Sequence, residues 1–334
     1  MQSKFTWTKE FKKTWDVEEE KNVKNVTKIS KETNLYRKNI VREVLIIVDV
    51  SESIEKTDYY PTIRTNIVEI LENFDQTFTK LNPLASLSYL AVNNKIQQFT
   101  KTFTRKTLNF FGSGYFDILK CLKTAVAKLN KDMIAKEFIL ITGSTNTHSD
   151  GESTDEVLDL LQSIKVKVNI LSLCGEVTFF KKISNLTQGT FIVPFDKNEL
   201  SNLIYSFIQP SETFNYKTTL IKVGFPAYAY NPGVCACHLT FQQDLLQCPQ
   251  CNANVCVLPT ICPLCSLNLI SPIDLGVSMS YNFPLNSIKK SETGKSCKIC
   301  KIASHYECDK CKNCFCEECN VKIQNVIKFC PFCV

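Results

Sequence analysis

The chain has 334 residues, of which 44% are hydrophobic and 22% are charged, and its 10 glycines and 12 prolines form no biased segment. This composition excludes wholesale disorder and a collagen-like repeat, and it suits a protein of one to three domains. The formal net charge is +6. The first 20 residues alternate charged and aromatic groups without an apolar run, so we expect neither a signal peptide nor a membrane span.

Residues 1–40 contain both tryptophans of the chain, Trp7 and Trp15, followed by the acidic run Glu18–Glu20. These aromatic residues have no neighbouring apolar periodicity, so the pattern favours an N-terminal docking extension over a folded domain. The alternative is that both tryptophans pack against this chain's own core.

A regular alternation of apolar runs and helical stretches begins at Val41. The apolar runs are rich in β-branched residues, as in strands that are buried on both faces of a sheet. They are Val44–Val48, Leu87–Val92, Phe138–Ile141, Val168–Leu173 and Phe191–Val193. The helical stretches have apolar residues three and four positions apart. They lie near residues 63–74, 118–129, 154–164, 177–186 and 198–208. The order predicts an α/β domain over residues 41–210, with a mainly parallel sheet flanked by helices.

The alternation stops after Pro210. The turn-forming segments Gly224-Phe225-Pro226 and Asn231-Pro232-Gly233 follow, and they are typical of a domain boundary. We therefore predict a connecting segment over residues 211–245.

The first predicted strand ends in Asp49-Val50-Ser51-Glu52-Ser53. A carboxylate and two hydroxyls in one loop are hard oxygen ligands that suit Mg²⁺, and the pattern resembles the metal-ion-dependent adhesion site of von Willebrand factor A domains. That family completes the site with a threonine from a second loop and an aspartate after the fourth strand. Here the corresponding segments are Phe111–Tyr115 and Thr142-Gly143-Ser144, so a single carboxylate remains. We expect Asp49, Ser51 and Ser53 to form a structural loop, with magnesium binding as the less favoured alternative.

The sequence offers few groups for catalysis. No glycine-rich phosphate-binding loop follows the first strand, and His148, His238 and His305 form no recognisable triad. We therefore expect no catalytic residues, no cofactor-binding residues and no enzymatic activity.

Cysteines divide the chain into two kinds of domain. Of the 18 cysteines, only Cys121 and Cys174 precede residue 235. Because no secretory signal is expected, the compartment should be reducing, and paired Cys-x-x-Cys spacings then indicate zinc thiolates.

Two Cys-x-x-Cys pairs separated by ten residues predict a four-cysteine zinc finger over residues 246–271. The predicted ligands are Cys248, Cys251, Cys262 and Cys265. Between the pairs lies Cys256, which leaves two possibilities open. It forms a further site with Cys235, Cys237 and His238, whose Cys-x-Cys-His spacing is irregular, or these residues are free and buried.

Four more pairs fill residues 297–334 and predict a RING-like domain with two zinc ions, after a linker over residues 272–296. Short separations make sequential pairing crowded, so we expect the cross-brace order, in which pairs one and three share a metal, as do pairs two and four. The first predicted set is Cys297, Cys300, Cys316 and Cys319, and the second is Cys308, Cys311, Cys330 and Cys333. Cys314 is the odd thiol, and His305 is expected at the surface.

Zinc changes the charge balance, because each four-cysteine site with its ion carries about −2. Three such sites bring the net charge of the protein to about zero. This argues against nucleic-acid binding through general basicity.

The order of an A-type domain, a four-cysteine finger and an eight-cysteine RING-like end is unusual. It resembles the family of forty-four-kilodalton core subunits of the general transcription and DNA repair factor TFIIH. The resemblance extends to Phe11–Val17, Gly224-Phe225-Pro226, Val255–Pro259 and Ser280–Leu285. It covers nearly the whole chain, although the loops of the sheet domain are short for the family.

The resemblance implies a nuclear, non-catalytic subunit for RNA polymerase II transcription initiation and nucleotide excision repair. Its A-like domain would bind and stimulate an XPD-type helicase. Its zinc modules would bind a thirty-four-kilodalton A-domain subunit and other core subunits, and DNA would be reached only through the complex. The loops Asp49–Glu55 and Phe111–Tyr115 are the expected helicase-facing surface. No membrane contact is implied.

Two other classes of function remain. A RING-type ubiquitin ligase would use Ile299 and Pro331 as an exposed docking patch, but the chain ends one residue after Cys333, so we favour assembly. A metal-dependent adhesion module would require Mg²⁺ at Asp49.

Overall fold

The computed structural model describes residues 37–94, 97–101, 103, 112–129, 135–147, 153–213, 221–283, 285–291 and 295–333. The chain divides into two units between Tyr36 and Arg37, and all described residues belong to the second unit. The predicted docking extension therefore lies outside the described residues as far as Tyr36.

A six-stranded sheet forms the centre of the N-terminal half. Its strands are β1 (Arg42–Asp49), β2 (Ser86–Val92), β3 (Gln97–Thr100), β4 (Ala135–Thr142), β5 (Val166–Ser172) and β6 (Phe191–Ile192). Their order across the sheet is β3-β2-β1-β4-β5-β6. All neighbouring pairs are parallel except β2–β3, which is antiparallel.

The central strand β1 is buried on both faces because its neighbours and the helices cover it completely. Val44, Ile46 and Val48 face one hydrophobic core. Leu45 and Ile47 face the other. The strand alternation of side chains thus builds two cores from one continuous apolar run.

Among the described residues, five helices cover the two faces of the sheet. They are α1 (Ile63–Leu81), α2 (Ile118–Lys128), α3 (Thr154–Ile164), α4 (Thr178–Leu186) and α5 (Lys197–Ser206). Helices α1 and α5 contribute to the core of Val44, whereas α2, α3 and α4 contribute to the core of Leu45. The predicted α/β architecture is confirmed.

A buried ion pair closes the end of the sheet where β1 begins. Arg42 Nη1 donates to Glu137 Oε2 of β4 at 2.7 Å, and both side chains are almost fully buried. Arg42 Nη2 donates to the carbonyl oxygens of Phe207 and Ile208, after α5, at 2.9 and 2.7 Å. The Ser211 hydroxyl bonds the other carboxylate oxygen. The ion pair and these hydrogen bonds compensate for the burial of both charges, although Arg42 Nε has no hydrogen-bond partner among the described residues.

In its described residues, the C-terminal half is built from short strands and two helices, α6 (Pro272–Ser280) and α7 (Glu317–Lys322). A π-helical turn over Ile323–Ile327 follows α7. A two-residue strand pair joins Arg37–Lys38 to Glu212–Thr213, and the strands after it are also two or three residues long. They are Val223–Gly224, Ala227–Tyr228, Gly233–Val234, Phe241–Gln242, Leu246–Gln247, Asn254–Val255, Thr260–Ile261, Asn268–Leu269, Ile288–Lys290, Tyr306–Cys308 and Cys314–Phe315.

Helix α6 fixes the C-terminal half to the base of the sheet domain. It packs against α1, and the residue after its C-cap, Asn282, bonds Lys38 twice. Asn282 Oδ1 accepts from the Lys38 amide at 2.6 Å, and its Nδ2 donates to the Lys38 carbonyl at 3.2 Å.

Helix α6 and the strand Ile288–Lys290 lie in the segment predicted as a linker. In the described part of the chain, no helix combines the length and apolarity that crossing a membrane requires.

Candidate metal centres and the loop at the sheet edge

The four predicted finger cysteines lie at the turns of two β-hairpins. Leu246–Gln247 pairs with Asn254–Val255 around the first cysteine pair, and Thr260–Ile261 pairs with Asn268–Leu269 around the second. The sulfur atoms of all four lie within 4.8 Å of one another. Cys248 Sγ is 3.6 Å from Cys265 Sγ, and Cys251 Sγ is 3.5 Å from Cys262 Sγ.

A repeated backbone turn brings the two sulfur atoms of each pair to the same side. In the first pair, the Cys248 amide donates to the carbonyl of Ala253, and the Asn252 amide donates back to the Cys248 carbonyl, both at 2.9 Å. Asn252 occupies the left-handed region, with φ of 57°. Cys262, Ser266 and Leu267 repeat the same two bonds and the same positive φ. We call this arrangement the cysteine knuckle.

The eight cysteines of residues 297–333 form two groups in crossed order. Pair one joins pair three, and pair two joins pair four. The groups are Cys297, Cys300, Cys316 and Cys319, and Cys308, Cys311, Cys330 and Cys333. Sulfur separations across the pairs are 3.4 Å for Cys300–Cys316, 3.5 Å for Cys308–Cys333 and 3.7 Å for Cys311–Cys330.

Pairs one and two of this domain are also cysteine knuckles, with Lys301 and Lys312 at positive φ. Pair three instead begins helix α7, where the amide of Cys319 donates to Cys316 Sγ at 3.4 Å. A helix N-terminus favours negative charge, so this position suits a thiolate.

The three four-cysteine groups fit structural zinc. A zinc ion that binds four sulfur atoms at about 2.3 Å separates them by about 3.8 Å, which is close to the cross-pair separations of 3.4–3.7 Å. Each group supplies four thiols, which fill all four positions of a tetrahedral zinc ion. This is the donor set of a closed structural site rather than of a catalytic one.

Hydrogen bonds from backbone amides lower the pKa of one thiol of the finger, which favours the thiolate form that binds metal. Burial alone would raise the pKa of Cys262, but amide donors from Cys265 and Leu264 lower it to about 7. In the same group, the amide of Ala253 favours the thiolate of Cys251, yet burial and the neighbouring thiols raise its pKa to about 12. Each further thiolate thus forms beside existing negative charge, which a divalent cation neutralises.

The apolar cores of these modules are small. In the finger cluster, the fully buried residues other than cysteine are Val255 and Leu269. In the RING-like cluster they are Phe315 and Ile323. Cores of this size do not stabilise a fold without metal.

Asp49 lies fully buried at the carboxyl end of β1. Its Oδ1 accepts from the Ser51 amide at 2.8 Å. Its Oδ2 accepts from the hydroxyls of Ser53 and Thr142, both at 3.0 Å, and from the Gly143 amide at 3.2 Å. The protein's own donors thus occupy the carboxylate, a bonding pattern that supports the structural interpretation of this loop.

The second predicted loop packs directly on the first. The Gly112 amide donates to Glu55 Oε1 at 2.8 Å, and the Ser113 amide donates to the Val50 carbonyl at 3.2 Å. Gly114 has φ of +70°, and a Cβ there would lie 2.2 Å from Asn94 Oδ1, so a side chain at this position would strain the backbone and displace Asn94. Phe111 lies outside the described residues.

The other side chains that the sequence singled out lie outside the three four-cysteine groups. His305 is exposed and belongs to none of the cysteine groups, and Cys314 is buried outside them. Ile299 and Pro331 are both exposed. His148 lies outside the described residues. Cys235, His238 and Cys256, which the sequence pattern left undecided, form a fourth group within 4.8 Å.

Together, the sheet topology and the cysteine groups define a class of protein, namely a von Willebrand factor A-like domain followed by small modules suited to bind zinc. Residues 47–226 match the Ssl1-like protein family. The chain belongs to this family.

Curated relatives match along nearly the whole chain. A Schizosaccharomyces pombe protein named general transcription and DNA repair factor IIH subunit ssl1 is 26% identical over 98% of this chain and 90% of its own length. A Dictyostelium discoideum protein named general transcription factor IIH subunit 2 is 23% identical over 99% of this chain and 81% of its own length. Among solved structures, the TFIIH p34 N-terminal domain covers 50% of this chain and 98% of its own, with 15% identity and a TM-score of 0.41.

Proposed function

We propose that this chain is a nuclear, non-catalytic core subunit of TFIIH that serves transcription initiation by RNA polymerase II and nucleotide excision repair. One observation carries the proposal. Relatives named as subunits of this factor align with 98–99% of the chain, including both its sheet domain and its cysteine modules.

The A-like domain is proposed to bind and stimulate the XPD-type helicase of the same complex. Stimulation requires that the subunit contact the active helicase conformation more strongly than the idle one. In an open α/β sheet, the carboxyl ends of the strands form the usual binding edge. There the loop Asp49–Glu55 is anchored by hydrogen bonds to buried Asp49 and to the second loop, while Glu52 and Tyr115 are exposed. An anchored loop with exposed side chains loses little entropy on binding.

The cysteine modules are proposed to bind three structural zinc ions and to assemble the core. The proposed ligands are the twelve cysteines of the finger and the cross-brace. The connecting segment exposes Tyr228, Tyr230 and Phe241, and exposed aromatic residues are enriched at protein interfaces. The thirty-four-kilodalton A-domain subunit and other core subunits are the proposed partners, with DNA reached only through the complex.

The boundaries proposed for these parts follow the sequence pattern. The sheet domain covers residues 41–210, the connecting segment 211–245, the finger 246–271 and the RING-like domain 297–334. Residues 272–296 join the two zinc modules.

The test measures ATPase and unwinding rates of the cognate XPD-type helicase with and without the purified full-length chain. We expect a several-fold rise in both rates. Glu52→Lys should reduce the stimulation, because it reverses an exposed charge in the proposed surface. The matched control, Lys181→Glu, reverses an exposed charge on α4 and should leave the stimulation unchanged. A chain that binds the helicase without raising either rate would contradict the proposal.

A further inference from the structure

Cys235, His238 and Cys256 lie outside the three four-cysteine groups, yet the structure brings them together. Their ligand atoms all lie within 4.8 Å of one another. His238 Nδ1 is 3.1 Å from Cys256 Sγ and 3.9 Å from Cys235 Sγ. These separations are close to the edges of a tetrahedron around a zinc ion, whose bonds are about 2.3 Å to sulfur and about 2.0 Å to nitrogen.

The backbone around Cys235 repeats the cysteine knuckle. The Cys235 amide donates to the carbonyl of Thr240, five residues later, at 3.0 Å. The Leu239 amide, four residues later, donates back to the Cys235 carbonyl, also at 3.0 Å. Leu239 has φ of 56°. The four knuckles at Cys248, Cys262, Cys297 and Cys308 have the same two bonds and a positive φ at the same position.

The second ligand position of the Cys235 knuckle is occupied by a histidine. In the other four knuckles the second ligand stands three residues after the first. Here that position is His238, so the motif is Cys-x-x-His rather than the irregular Cys-x-Cys-His that the sequence suggests. A histidine in this place is an accepted zinc ligand.

The identity of the residue at the positive-φ position, Leu239, is unusual. A bulky residue rarely adopts positive φ, because in the left-handed region its Cβ clashes with the neighbouring carbonyl oxygen. The Leu239 side chain is 80% exposed, so hydrophobic packing does not compensate for this clash. The turn that aligns Cys235 with His238 is what requires the conformation.

The third ligand reaches the site through a neighbouring strand. The Ala236 amide donates to the Asn254 carbonyl at 2.7 Å, which ties the knuckle to the strand Asn254–Val255. Cys256 follows this strand directly, and its position is therefore fixed by the finger itself. Cys237 lies near this group, because its thiol affects the pKa of Cys256 and its side chain packs against the finger cluster.

We propose that Cys235, His238 and Cys256 hold a fourth structural zinc ion, and that Cys237, whose Sγ lies outside this group of ligand atoms, turns towards the ion as the fourth ligand. Three thiolates and one imidazole give a closed tetrahedral site. The ion joins the connecting segment to the finger, so residues 235–265 form one two-zinc module rather than a finger preceded by a free linker.

The test is the zinc content of the full-length chain after dialysis against metal-free buffer, measured by mass spectrometry of the metal against protein concentration. We expect four zinc ions per chain, and three for His238→Ala. His238→Cys should keep four, because it converts the turn into a Cys-x-x-Cys knuckle like the others. His305→Ala, which removes an exposed histidine from another module, is the matched control and should also keep four.

Cys237→Ser should release the fourth ion at a lower chelator concentration than wild type requires. Three ions in the wild-type chain, or four in His238→Ala, would overturn the proposal. Circular dichroism identifies variants that fail to fold; if His238→Ala is among them, the counts for wild type and His238→Cys decide, and three ions in either would overturn it.

Discussion

Asp49 shows how a single buried carboxylate constrains the loop at the end of β1. Burial raises its pKa above the ordinary value of 3.8, while hydrogen bonds from Ser51, Thr142 and Ser53 oppose that rise. Because the folded pKa exceeds the unfolded one, the contribution of this group to stability decreases as pH rises from 3.8 through the folded pKa. The hydrogen bonds limit that loss, since they favour the charged form.

Thr142→Val should therefore destabilise the chain by about 1–3 kcal/mol at pH 7. The substitution removes the donor to Asp49 Oδ2 and the acceptor for the Ser144 amide without a large change in volume. The loss should shrink at pH 4, because a protonated carboxyl gains less from the lost donor. Denaturant unfolding at the two pH values measures both effects.

The matched control is Thr124→Val, which removes an exposed hydroxyl that bonds within α2. It should change the stability by less than about 0.5 kcal/mol. Equal effects of the two substitutions would contradict the role given to Thr142.

At the scale of elements, the ion pair between Arg42 and Glu137 joins β1, β4 and the end of α5. Arg42→Met should destabilise the chain by about 3–5 kcal/mol, since it leaves Glu137 charged and buried without its partner. Lys181→Ala breaks an exposed pair with Glu176 and should cost no more than about 1 kcal/mol. Thermal and denaturant unfolding of both variants compares the two pairs. An Arg42→Met variant as stable as Lys181→Ala would show that Glu137 finds another donor.

Elements with strong apolar periodicity could be predicted from the sequence, and weakly patterned ones could not. The run Val44–Val48 predicts the centre of β1 because burial on both faces demands continuous apolar residues. Strand β3 reads Gln97-Gln98-Phe99-Thr100. It lies at the sheet edge, where polar residues are allowed, so no pattern marks it.

Helix α6 had a signal of another kind. Ser271 and Asp274 form a reciprocal capping box, with Pro272 at the first helical position. This start signal is visible in the sequence. The short length of the helix and its Gly276 hide the periodicity that would support it.

The cysteine groups also differ in how well the sequence predicts them. The ligands of the RING-like domain could be predicted because they stand in regular Cys-x-x-Cys pairs, and the crossed order because the short separations between pairs make sequential pairing crowded. The knuckle at Cys235 could not be predicted in this way, since His238 replaces the second cysteine and Cys237 stands between them. Its regularity lies in two backbone hydrogen bonds and a positive φ, which spacing cannot reveal.

At the scale of the whole molecule, the two halves depend on different sources of stability. Two large apolar cores stabilise the sheet domain. The cysteine modules have small apolar cores, and their cysteine groups are arranged to bind stabilising metal ions. A strong zinc chelator should therefore unfold the modules and leave the sheet domain folded.

Limited proteolysis should yield a protected fragment that contains β1 to α5, and far-ultraviolet circular dichroism should retain most of its helical signal. Zinc added back after chelation should restore protection of residues beyond 221. Loss of the helical signal together with the modules would contradict this division.

The C-terminal half is attached to the sheet domain near the start of β1. Tyr281, directly after α6, lies near Asn82 and near Arg42, the first residue of β1. The loop of Asp49 lies at the other end of the same strand, roughly 23 Å away for seven steps of extended chain. The attachment point of the C-terminal half and the loop of Asp49 thus lie at opposite ends of one buried strand. The backbone of that strand sets the distance between them.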